Sequence, residues 1–140
     1  MSKAGQTEIR MRLVVEAPLP GVAHSLQDKK GHPVDAKVSP DGTPLSFDFT
    51  IRIGPGPKFY GEQVRSEGPE RRFVYIGVGT HAGDAGSAWN RRMKIDIHDI
   101  PAHLLERALA GKRLVGTFNG TGKDGTPACA TIRPVGWRLD

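Results

Sequence analysis

A lysine set among glycines, in GTFNGTGKDGT (Gly116–Thr126), has the composition of a phosphate-binding loop. Such a loop needs G-x-x-x-x-G-K followed by Ser or Thr, whose hydroxyl reaches magnesium, and then a helix offering its N-terminal amides. Ahead of Gly122-Lys123 the required glycine position holds Thr117, and the residue after Lys123 is Asp124. The following Gly125-Thr126-Pro127 starts a strand pattern rather than a helix, so the spacing rejects phosphate cradling. A hairpin is expected instead, turning on Lys123, Asp124 and Gly125 with the glycine in the left-handed position. That register sets Phe118 opposite Ala130, Thr117 opposite Thr131 and Gly116 opposite Ile132.

The stretch IGVGTHA places Gly77, Gly79 and Ala82 in the loose dinucleotide spacing after a strand. The fingerprint must open a helix, whereas GDAGSAWN follows with two more glycines and no helical face. What remains is a surface loop, Thr80 to Lys94, that gathers the densest set of reactive and charged side chains: His81, Asp84, Ser87, Trp89, Arg91, Arg92 and Lys94. His81, Asp84 and Ser87 contain the parts of a nucleophile and its base. Residues so close in sequence converge only on a turn built for it, so ligand or partner binding is preferred to catalysis. In that role Trp89 stacks on a flat or anionic ligand and Arg91 or Arg92 supplies charge-assisted hydrogen bonds. The competing reading of Trp89 is a core plug. The ligand-binding set expected from the sequence is therefore His81, Asp84, Trp89, Arg91, Arg92 and Lys94.

Asp96, His98 and Asp99 fall short of a metal set, because no second histidine stands at a spacing the sequence fixes. His24, His32 and His103 are isolated and expected on the surface. Cys129, between two alanines, reads as a small sheet residue, with no basic group placed to activate it. No metal and no cofactor is implied.

The elements that must carry these residues are mostly strands. Eighteen Gly and eleven Pro in 140 residues, without a period, mean many turns between short elements. Ile9 to Glu16 and Leu45 to Ile53 both alternate apolar and polar residues, the mark of strands with one face in a core. Further strands are expected over Ser25–Asp28, Val34–Ser39, Phe59–Val64, Arg72–Val78, Arg91–Ile97, Arg113–Thr121 and Ala128–Val135. One short helix spans about Pro101 to Ala110, with Asp99 as its cap and Leu104, Leu105, Ala108 and Leu109 as its apolar stripe. The fold class that follows is mainly β: a compact antiparallel barrel or sandwich of seven to nine strands with one helix. It is a single domain, 1–140, with residues 1–8 as a flexible tail.

Charge bounds the partners. The chain carries a formal net charge of +5 at pH 7, spread in small groups such as Arg71-Arg72 rather than in one block. Its amino terminus is polar, no apolar run approaches the ~20 residues of a membrane helix, and there is one cysteine. A cytoplasmic protein with no membrane partner is expected.

The segments RRFVYIGVGTHAGDAGSAWNRRMKI and GTGKDGTPACATIRP resemble an uncharacterised bacterial family, classed as a domain of unknown function. Its R-F-x-Y-I strand matches Arg72–Ile76, its A-G loop ending in W-x-R-R-x-K matches Ala82–Lys94, and its G-T-G-K-D-G turn matches Gly120–Gly125. The resemblance covers most of the chain from about Met11. It implies no activity and brings no catalytic residues.

The expected function is a non-enzymatic binding module for an anionic small molecule or a protein. An enzyme of unknown reaction would need His81 or His98 in a cleft. A nucleic-acid binder would need its arginines gathered beside Phe59, Tyr60 or Tyr75.

Overall fold

The computed structural model describes residues 7–16, 18, 20–21, 23–55, 58–69, 71–79, 92–108, 111–118 and 136–140, with backbone alone at 78–79 and 92–93. The strands are β1 (Thr7–Val15), β2 (Ala23–Gln27), β3 (Pro33–Val38), β4 (Leu45–Gly54), β5 (Lys58–Tyr60), β6 (Arg65–Ser66), β7 (Arg72–Gly79), β8 (Arg92–Asp96), β9 (Leu114–Phe118) and β10 (Gly136–Leu139). A 3-10 turn (Ile97–Asp99) leads into helix α1 (Ala102–Ala108). Strand β1 takes in Thr7 and Glu8, which the sequence assigns to a tail.

One sheet runs β10-β9-β1-β4-β5. The other runs β3-β2-β7-β6, with β8 also paired to β7. Phe73 has partners in both β6 and β8, and Ile76 in both β2 and β8, so β2 and β6 share one edge of β7 and β8 holds the other. Among the described residues the two sheets do not close on each other. The molecule is a sandwich, not a barrel.

The alternating segments explain the packing. β1 and β4 pair antiparallel from Thr7↔Ile53 to Val15↔Leu45, which brings Ile9 against Ile51 and Leu13 against Phe47 on the inner face. All four are buried, as are Met11 and Val15. Their polar neighbours look outward, where Arg12 Nε meets Asp48 Oδ1 at 2.7 Å. Leu26, Val74, Ile76 and Ile95 of the second sheet, with Ile97 of the 3-10 turn, complete the core. Burying side chains of this size contributes about 1.5–3 kcal/mol each.

Three local expectations are corrected. Among the described residues pairing is antiparallel except between β1 and β9, which run parallel from Met11↔Leu114 to Val15↔Phe118. The hairpin register also fails where it can be compared: Gly116 lies opposite Trp137 and Thr117 opposite Gly136, not Ile132 and Thr131. Trp137 decides this, because its indole lies over Gly116, where a Cβ would stand 2.6 Å from Cζ3. Residues 119–135, with the expected turn and Cys129, lie outside the described residues. Finally, Asp99 does not cap α1. It sits inside the 3-10 turn, whose N-cap is Asp96, accepting the His98 N–H. Pro101 precedes the α-helix, and its carbonyl accepts from Leu104 and Leu105.

Candidate functional site

Between β5 and β6 the chain leaves one sheet and enters the other. The sequence reads Phe59–Val64 as one weak strand; in the structure it splits at a tight turn in which Val64 N–H donates to Gly61 O at 3.2 Å. Gly61 passes so close beneath β4 that a Cβ would lie 3.3 Å from Thr50 O. Beside this crossing opens a groove of about 440 Å³, lined by Lys29, Phe59, Tyr60, Gly61, Val64, Arg65, Ser66 and Arg72. That volume falls in the ordinary range for small-molecule sites.

The groove has two kinds of wall. Phe59 and Val64 are buried and Tyr60 half-buried, giving an apolar side. Lys29, Arg65 and Arg72 bring three positive charges, and no carboxylate is among the described residues that line the space. The nearby Glu67 is already held by Lys94 Nζ at 2.7 Å.

Each cation is positioned by local structure. Lys29 follows Asp28, whose carboxylate accepts the Lys30 and His32 N–H groups, and Lys29 N–H donates to Glu62 O at 2.9 Å. Desolvation pushes the Asp28 carboxyl up, but those amides outweigh it and hold it below its usual range. The turn carrying Lys29 is thereby tied to the β5–β6 connection. Arg72 donates through Nη1 to the carbonyls of Gly68 (2.9 Å) and Arg71 (3.0 Å), which fixes its guanidinium. Arg65 lies over the Tyr75 ring, 5.1 Å from its centroid. Its Nη1 is shielded from solvent with no acceptor among the described residues. A buried charged donor left unmet costs at least about 1–3 kcal/mol, only part of which a ring face returns.

Of the ligand-binding set expected from the sequence, His81, Asp84, Trp89 and Arg91 lie outside the described residues, as does Ser87. The Arg92 backbone pairs with Gly77 in β8. Lys94 is engaged with Glu67 and stands 4.2 Å above the Phe73 ring. Gly77 and Gly79 sit within β7, paired with Ser25 and Ala23, and not at a strand-to-helix turn. His98 is exposed, its ring edge-on to Phe59 with centroids 5.0 Å apart. His32 and His103 are exposed as expected, but His24 is fully buried. The reason is its strand: β2 is flanked by β3 and β7, and His24 pairs with Lys37 and Val78.

Sequence reasoning missed Lys29, Arg65 and Arg72 because they come from separate segments that only the fold brings together. The sequence did name Phe59, Tyr60 and Tyr75, as the aromatics beside which a nucleic-acid binder would gather its arginine pairs; the structure sets the single Arg65 over Tyr75.

Among the described residues no helix is long and apolar enough to cross a membrane. No curated protein and no solved structure matches the chain. Residues 9–140 match the sequence model described as a family of unknown function, DUF5990, and the chain belongs to that family.

Proposed function

We propose that the protein is a non-enzymatic binding module for an anionic small molecule, and that the groove at the β5–β6 crossing is its site. The observation that carries this reading is the lining itself: Lys29, Arg65 and Arg72 stand around one cavity, with no carboxylate among its described lining residues. Like charges held together repel, and an anion between them converts that repulsion into attraction. Arg72 and Arg65 are held in place, by carbonyls and by an aromatic face, so little side-chain entropy is lost on binding. The single cysteine fits a reducing compartment, and we place the protein in the cytoplasm.

A thermal-shift screen with anionic metabolites tests this against the loop Thr80–Lys94. At ten times its Kd a ligand adds about 1.4 kcal/mol of stability, a rise of roughly 3–6 °C for a domain of this size. For any ligand so found, Arg65→Gln with Arg72→Gln should remove the rise, while Trp89→Ala with Arg92→Ala should leave it. The opposite pattern would move the site to the loop.

A further inference from the structure

We infer, building on the anion-binding reading of the groove, that its ligand is an organic phosphate monoester with an aromatic or otherwise apolar body. Charge comes first. Among the described lining residues there are three cations and no carboxylate, so a monoanion such as benzoate would leave two positive charges uncompensated. A phosphate monoester carries up to two negative charges at neutral pH and presents three acceptor oxygens, enough to meet several of these donors at once. Arginine suits this role, since its rigid fork of donors matches phosphate geometry.

Size and polarity specify the remainder of the ligand. The space of about 440 Å³ holds roughly fifteen waters at ~30 Å³ each, and a bare oxyanion displaces only a few of them. The apolar part of the lining is Phe59, Tyr60 and Val64, and water against those side chains gains little. A body carrying a ring or a short chain would bury that apolar wall. At about 25 cal/mol per Å², covering some 60 Å² contributes roughly 1.5 kcal/mol, close to a tenfold gain in affinity. The arrangement favours a molecule charged at one end and flat or greasy at the other.

Calorimetric titration of the full chain with phenyl phosphate, inorganic phosphate and benzoate separates the parts of this inference. Phenyl phosphate should bind at least tenfold more tightly than either of the others. Arg65→Lys, which keeps the charge but loses the fork, should weaken phenyl phosphate about tenfold. Lys29→Gln, on the exposed rim, should weaken it severalfold with no change in thermal midpoint, and so covers the case in which Arg65→Lys fails to fold. Inorganic phosphate binding as well as phenyl phosphate would overturn the apolar body. Benzoate binding as well would overturn the preference for a dianion while leaving an anion groove in place. If none of the three binds and the wider anion screen also finds no groove-dependent ligand, the underlying reading fails with it.

Discussion

Gly116 and Trp137 show how one missing side chain fixes the position of another. Gly116 lies between Leu13 of β1 and Trp137 of β10, and the indole covers it while meeting Phe118 edge-on at 5.9 Å. Three indole atoms would lie within 2.9 Å of a Cβ at that position. Gly116→Ala should therefore destabilise the protein by about 1–3 kcal/mol through overpacking, read from the urea midpoint. A stability change near zero would mean that the indole swings aside without loss. At the surface, the side-chain hydrogen bond from Arg12 holds the Asp48 carboxyl below its usual range, against the desolvation that would raise it. A carboxyl depressed on folding contributes stability that is present above its unfolded pKa and lost as pH falls through its folded one. Asp48→Asn should accordingly flatten the loss of thermal stability at acid pH, below about 4, relative to the parent chain. Because the pair is largely solvated, the change should be small, and it should shrink further at high salt.

Strand β3 illustrates how an element handles an open edge. Among the described residues it ends its sheet, with Val34 and Val38 48% and 54% exposed, an unusual amount of apolar surface for an edge. Three features oppose pairing with a neighbour: Pro33 at its start, a register shift opposite Leu26 and Gln27, and Lys37, which bonds Ser46 O and lies 3.6 Å from Asp35. Replacing Lys37 by Val should leave β3 with three valines and Asp35 as its one charge. Light scattering should then show concentration-dependent self-association that the parent chain lacks. The same element scale explains what the sequence revealed. β4 was legible almost to the residue, expected at Leu45–Ile53 and found at Leu45–Gly54, because nine alternating positions leave a single face for the core. The pairing of β9 was not, since its partner was sought near in sequence while a glycine and an indole had the complementary shapes.

At the level of the whole molecule, the groove exists only because distant segments meet. Lys29, Arg65 and Arg72 share no periodicity, and no pattern in the chain announces them. The same is true of the sheet centre, where β1 and β9 lie side by side although Met11 and Leu114 are far apart in sequence. Long-range pairing of this kind is slow, because loop-closure entropy is lost before the contacts form. Refolding from urea should proceed in milliseconds to seconds, followed by the Trp137 fluorescence in a Trp89→Phe background. A microsecond phase carrying the whole amplitude would contradict that.

The parallel pair of β1 and β9 also sets a timetable during synthesis. At roughly 5–20 residues per second, β1 waits about 5–20 s between leaving the ribosome and the arrival of its second neighbour. Until then β1 pairs with β4 alone, and the core lacks Leu114, Phe118 and Trp137. A ribosome paused in the stretch before Leu114 should hold nascent chains in that half-covered state longest.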